Sequence, residues 1–242
     1  MKVQSEIKAE SILKVSSLTK SVQLEDKTLA LLQPTDLTVN NGETIAIVGS
    51  SGSGKTTLLS ILAGLDLPTS GEVYLKNHAL HQLNEEQRSQ VRANHVGFIF
   101  QQFLLINSLT ALENVELITD IARDPMSAKE ALATVNLHDR LNHFPAQLSG
   151  GEQQRVAIAR AIAKRPEVML CDEPTGALDS ETGILVLEAL QTVNRTYGTT
   201  TIIITHNVAI ANVADRVIHF ADGRVSSVVN NDNPTPISEL RW

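Results

Sequence analysis

Cys171 is the only cysteine in the 242 residues. An internal disulfide framework is therefore excluded, and a reducing compartment is expected. Aromatic residues are scarce at 3%, so aliphatic side chains must fill the core. Basic residues are in the minority, 20 Lys and Arg against 27 Asp and Glu, for a net charge of −7. That balance excludes broad electrostatic binding to nucleic acid. No apolar run approaches the ~18–20 residues that span a bilayer, and Met1–Glu6 has no apolar segment of the kind a secretory signal requires. Contact with a membrane would then come through a partner. No internal repeat or low-complexity tract is present. His78 and His81 lack partners at metal-ligand spacing, and Trp242 has no assignable role.

What is present begins with Gly49-Ser50-Ser51-Gly52-Ser53-Gly54-Lys55-Thr56, which fits G-x-x-x-x-G-K-S/T at every fixed position. The apolar run Thr44–Val48 precedes it and a helical stretch, Thr57–Ala63, follows. That strand, loop, helix context is what a phosphate-binding loop needs. The glycines let successive N–H groups turn inward toward an anion, and the helix starts with its positive dipole end aimed at the same place. Lys55 is placed to reach the β- and γ-phosphates of a nucleoside triphosphate, the Thr56 hydroxyl to ligate Mg²⁺, and Thr57 to meet the α-phosphate.

The rest of the chain reads as an α/β protein of the P-loop type. Strands are expected at 12–16, 35–39, 45–48, 72–76 and 96–100, with Asn40-Asn41-Gly42 and Ser70-Gly71 as turns and Gly64 as a helix C-cap. Asn84 with Gln87, Thr110 with Glu113, Ser127 with Glu130 and Ser149 with Glu152 have the capping-box form, and the last three define a helical lobe over about 103–165. Short, fully apolar strands then resume at 168–171 and 201–204, typical of a buried parallel sheet, with a crossover helix over 181–197 between them. A hairpin, 217–220 and 225–229, turns at Ala221-Asp222-Gly223. The expectation is one domain over 1–229, with a mainly parallel sheet, an antiparallel N-terminal part and an inserted helical lobe, and a flexible tail over 230–242.

Two further motifs carry chemistry. Val168–Cys171 is an apolar strand that ends in Asp172-Glu173, and in an open α/β sheet the carboxyl ends of strands form the ligand edge. Asp172 would hold Mg²⁺ near Thr56, and Glu173 would orient or deprotonate an attacking water. Leu148-Ser149-Gly150-Gly151-Glu152 is a good helix start, and that same start leaves the Gly150 and Gly151 N–H groups free for an anion. Arg155, Arg160, Lys164 and Arg165 on the following helix read as a solvated face and as partners of its C-terminal dipole.

Gly49–Thr56, Gln101, Leu148–Glu152, Val168–Glu173, Ala177-Leu178-Asp179 and His206 stand in the order found in ABC-type ATPase subunits, so the chain resembles that family over roughly residues 12–228. The wording of Val96–Gln102, Leu109–Val115 and Glu173–Asp179 is similar to the LolD/MacB/FtsE-like group. Leu18-x-Lys20-Ser21-Val22 and the short lobe resemble its YbbA-type branch. The resemblance implies ATP and Mg²⁺ as cofactors and a head-to-tail homodimer. In that dimer Ser149, Gly150, Gly151 and Asp179 of one copy would face the phosphate loop of the other. It implies that His206 steadies the γ-phosphate and water, and that Gln101 touches Mg²⁺ or the water. It further implies an FtsX/MacB/LolC-like integral membrane permease as partner, at the cytoplasmic face of the cell membrane, for export or extraction of a lipid, lipoprotein or hydrophobic compound. A mechanotransducing ATPase that signals through its membrane partner is the alternative. A soluble ABC ATPase acting on nucleic acid or ribosomes is a third reading, opposed by the negative charge. Val22 stands where the family often has an aromatic residue for adenine.

Overall fold

The computed structural model describes residues 11–25 and 27–241, so the readings made on Met1–Glu6 and Trp242 lie outside the described residues. In chain order the first elements are β1 (Ser11–Leu24), β2 (Lys27–Asn40), β3 (Thr44–Val48), α1 (Lys55–Leu62), β4 (Ser70–Leu75), β5 (His78–Ala79), α2 (Glu85–His95) and β6 (Val96–Ile99). Then come α3 (Ala111–Thr119), α4 (Ala128–Thr134), α5 (Gly150–Ile162), β7 (Val168–Asp172), α6 (Ser180–Tyr197), β8 (Thr200–Thr205), α7 (Val208–Ala211), β9 (Arg216–Ala221) and β10 (Arg224–Asn230).

Among the described residues two sheets organise the chain. One has the order β10-β9-β3-β8-β7-β6, parallel from β9 through β6, with β10 antiparallel at its edge. The other has the order β2-β1-β4-β5 and is antiparallel. The expected α/β core with an antiparallel N-terminal part and an inserted helical lobe is therefore what forms. Strands β3, β7 and β8 are apolar on both faces because both faces are covered. Leu170, Ile202 and Ile204 point toward α1 and the antiparallel sheet, while their neighbours Met169, Cys171 and Ile203 point toward the lobe and α6. That is the period-two alternation of a strand sorted into two cores.

The caps behave as their chemistry predicts. Asn84, Thr110 and Ser149 make reciprocal capping boxes, whereas Ser127 accepts from the Glu130 N–H without a return bond. Two expectations change. Ser70-Gly71 is not a turn but the start of β4. Gly71 has φ +90° there, and a Cβ on it would sit 2.4 Å from the Ser17 carbonyl oxygen. The pairing of β1 with β4 slips at this point, so the glycine serves a bulge. The strand expected at 35–39 starts at Lys27 and runs through Pro34, which β2 tolerates as the edge of its sheet.

The end of the chain, expected as a flexible tail, is docked. Thr235 N–H donates to Asn212 O and the Asn231 side chain to Asn212 O and Ala214 O. Ile237 and Leu240 are buried in the core beside α6. Two apolar side chains and a set of backbone bonds outweigh the turn-rich composition of the stretch before them.

Candidate active site

The Gly49–Thr56 loop leaves the carboxyl end of β3 and feeds α1 at Lys55. Its geometry needs glycine at two positions. A Cβ on Gly49 would lie 2.1 Å from Phe220 O, and Gly54 has φ +100° with Leu31 O 2.8 Å from its absent Cβ. The loop is pinned from the other side by the β9–β10 turn: Gly223 N–H donates to Ser53 O, and Gln33 N–H donates to Gly223 O. The first hydrogen bond of α1 is Leu58 N–H to Gly54 O, which leaves the N–H groups of Lys55, Thr56 and Thr57 without intrahelical acceptors. Lys55 is buried, and its Nζ donates to Gly49 O at 2.8 Å and Ser50 O at 2.7 Å. Ser53 Oγ is buried with no partner among the described residues. A ring of donors around a buried ammonium fits a polyphosphate.

Asp172 ends β7, the second strand over from β3, and its Oδ1 stands 3.5 Å from Thr56 Oγ1. Burial holds the Asp172 carboxyl above its usual range; the Thr56 hydrogen bond opposes this, the Glu173 charge adds to it and Lys55 opposes it. A hydroxyl and a partly desolvated carboxylate facing each other are a hard, oxygen-only donor pair of the kind Mg²⁺ takes. Glu173 has φ +48°, a left-handed conformation that a side chain seldom adopts and that functional sites do hold. Its N–H donates to Ile204 O, and its Oε1 lies 2.9 Å from His206 Nδ1. The histidine follows β8, so two neighbouring strands deliver the pair to one edge.

These groups line one open cleft of about 990 Å³ that holds Ser51, Gly52, Gly54–Thr57, Gln101, Asp172, Glu173 and His206. Gly49, Ser50 and Ser53 belong to the same loop behind it. Ser149, Gly150, Gly151 and Asp179 do not line the cleft. They sit together on another edge, where the place of a Cβ on Gly151 is taken by Thr182 Cγ2, 1.9 Å away. Thr182 also donates its N–H to Asp179 Oδ1 and its hydroxyl to Asp179 Oδ2. The backbone bond, with the hydroxyl adding to it, holds the Asp179 carboxyl below its usual range. One chain thus brings together the phosphate loop, acid pair, histidine and glutamine, and separately the glycine pair with Asp179.

Several lining residues escape sequence reasoning: Leu29, Ala30 and Leu31 from β2, and Asp222 with Gly223. Leu29 pairs in register with Val22 and is 49% exposed. The only signal for them is the turn at Ala221–Gly223, read as a turn and nothing more. The cations on α5 and just past its end also differ from a solvated face. Arg160 donates to Phe103 O and Leu104 O, and Lys164 to Arg92 O. Burial, with Arg92 beside it, pushes the Lys164 ammonium down to about 8.

Asp172→Asn is expected to separate stability from metal binding. A carboxyl whose folded pKa is raised supports the fold at pH below its unfolded value, and that support is lost as pH rises through the folded value. Above its folded value the ionised Asp172 is therefore a net cost, so the asparagine variant should there melt level with or above the parent. Mg²⁺ should no longer add to the stabilisation given by nucleotide. Thermal melts with and without Mg²⁺ read both effects.

Residues 32–176 match the ABC transporter family. The chain is 50% identical over 222 residues to an ABC transporter ATP-binding protein, YbbA of Escherichia coli K12, covering 90% of this chain and 97% of that one. The macrolide export ATP-binding/permease protein MacB of Vibrio parahaemolyticus is 42% identical over 88% of this chain, which spans 33% of MacB. A dimeric, post-hydrolysis structure of the ATP-binding cassette MJ0796 of Methanocaldococcus jannaschii, bound to ADP and Pi, superposes with a TM-score of 0.83 at 40% identity. It covers 91% of this chain and 99% of its own. With the phosphate loop, the acid pair and the glycine pair in the places just described, the chain belongs to the ABC transporter family as an ATP-binding subunit.

Proposed function

We propose that this subunit binds MgATP in the Gly49–Thr57 cleft and hydrolyses it within a head-to-tail homodimer that drives an integral membrane partner. The observation that carries this is the split constellation: phosphate loop, Asp172, Glu173, His206 and Gln101 in one cleft, with Ser149–Gly151 and Asp179 elsewhere. Phosphoryl transfer is catalysed by positioning and charge stabilisation. Gly49–Gly54 and the start of α1 cradle the phosphates, and Lys55 turns its ammonium from Gly49 O and Ser50 O to phosphate oxygens. Thr56, Asp172 and Gln101 would hold Mg²⁺, which would supply positive charge to offset that of the phosphates. Glu173 orients the attacking water and accepts its proton, while His206, hydrogen-bonded to Glu173, steadies the γ-phosphate. Ser149, Gly150 and Gly151 of the second copy close the cleft over the γ-phosphate, with Asp179 across the same interface. Leu29–Leu31 offers the base an aliphatic lip where Val22 supplies no aromatic ring. The dimeric cassette bound to ADP and Pi supports this arrangement.

The membrane partner is proposed to dock in a second groove of about 350 Å³, lined by Leu65, Val96, Phe98, Phe100, Ile118 and the cations Arg92, Arg160 and Lys164. Phe98 and Phe100 stack there with centroids 4.2 Å apart, and Phe100 adjoins Gln101. The apolar floor and basic rim suit a short amphipathic segment that carries a carboxylate. No helix among the described residues is long and apolar enough to cross a membrane; on the proposed reading the partner supplies the spans and this chain works at the cytoplasmic face. Transport of a lipid, lipoprotein or hydrophobic compound and mechanical signalling share this docking and differ in the partner alone.

Leu65 is 48% exposed on that groove. Leu65→Arg should keep ATP affinity within twofold of the parent and lower recovery of a multi-span protein from detergent-solubilised membranes by more than tenfold. Equal recovery by the two proteins would move the docking site elsewhere.

A further inference from the structure

Gln154 stands one helical turn beyond Gly150 on α5 and is 0% exposed. Its Nε2 donates to Pro174 O at 2.8 Å and, at the longer distance of 3.5 Å, to Phe100 O. Its Oε1 is buried with no partner among the described residues. An amide in a core is useful only when its polar atoms are satisfied, and an apolar side chain of the same shape would spare the fold an orphaned acceptor. Packing does not explain a glutamine here.

Its two partners suggest the reason. Pro174 follows Glu173, whose φ of +48° needs support from its surroundings, and holding the Pro174 carbonyl holds that turn. Phe100 precedes Gln101 and belongs to the stacked pair that floors the second groove. The helix itself begins with Gly150 and Gly151, the edge proposed to meet the second copy. One buried side chain therefore touches the segment that carries the water-activating carboxylate, the segment that carries Gln101, and the helix that faces the other subunit.

We propose that Gln154 is a positioning residue for hydrolysis, fixing Glu173 through the Pro174 carbonyl and coupling that carboxylate to the groove through Phe100 O. This inference rests on the ATPase reading given above. Its Oε1 acceptor is spare in this arrangement, so it is free to take a donor while Nε2 keeps the Pro174 bond.

The test is Gln154→Met in the full chain, which keeps the volume and removes both polar atoms. Thermal melting, ATP affinity and steady-state hydrolysis with Mg²⁺ are measured beside the parent and beside Glu173→Gln. The expected result is a melting temperature level with or above the parent, an ATP affinity within twofold, and a kcat at least tenfold lower with KM little changed. Combining Gln154→Met with Glu173→Gln should lower kcat no further than Glu173→Gln does, since both act on one carboxylate. A parental kcat in a well-folded variant would overturn the inference. So would a lower melting temperature with loss of ATP binding, which would mark Gln154 as a structural residue only. Failure of the parent itself to hydrolyse ATP would instead sink the ATPase reading, and the two failures are told apart by the parent control.

Discussion

Glu173→Gln is expected to lower ATP hydrolysis by about a hundredfold or more, the range for loss of a general base, while ATP binding stays within twofold of the parent. The geometry separates the two quantities. Among the described residues Glu173 makes no hydrogen bond or ion pair to the Gly49–Thr56 loop. Its side-chain partner is His206, with Oε1 2.9 Å from Nδ1. Its side chain is 17% exposed against 69% for the histidine, so the carboxylate is the shielded member of the pair, facing the cleft. A glutamine keeps the shape and can keep the His206 contact through its amide oxygen, yet it accepts no proton from water. The left-handed turn is set by backbone bonds, Glu173 N–H to Ile204 O and Gly176 N–H to Glu173 O, which the variant retains. Single-turnover hydrolysis and equilibrium ATP binding check the prediction. Hydrolysis near the parental rate would remove Glu173 from the mechanism.

Lys55→Ala is expected to act on binding, by about a hundredfold, or about 2.7 kcal/mol. The ammonium is buried and bridges two carbonyls of its own loop. Removing it takes away a cation that organises the loop and, on the proposed reading, faces the phosphates. Charge-assisted bonds to phosphate are among the stronger polar contacts available, and a shielded site screens them little. Lys55→Arg should recover little, because a planar guanidinium does not fit between two carbonyls spaced for a point charge. Titration with a fluorescent ATP analogue reads the loss. Unchanged affinity would show that the loop does not carry the phosphates.

Much of this site is legible in the sequence because its parts are local. The loop announces itself through two glycines, a lysine and a threonine at fixed spacing. The acid pair stands at the end of an apolar strand, where parallel sheets keep ligands. Capping boxes at Asn84, Thr110 and Ser149 need only four residues each, and all three form. What the sequence hides is what depends on distant neighbours. Leu29–Leu31 reach the cleft because β2 extends through Pro34, an option open only to an edge strand. Gly71 reads as a turn until β1 supplies the Ser17 carbonyl it must approach. Arg160 and Lys164 read as solvated cations until the backbone of 92 and 103–104 folds over them. Ile237 and Leu240 show no periodicity that would announce their burial. Gln154 looks like one more polar helical residue, and only the tertiary fold places Pro174 and Phe100 against its amide.

On the proposed reading the catalytic site is divided between two copies. Sedimentation of the Glu173→Gln chain, with and without MgATP, tests it most directly, because blocked turnover should hold any ATP-bound assembly together. The arrangement predicts a monomer without nucleotide and a dimer with MgATP. Gly151→Val, which places a branched side chain against Thr182 at the proposed interface, should return that dimer to monomer in the same background. A Glu173→Gln chain that binds ATP to saturation and still sediments as a monomer would contradict the account.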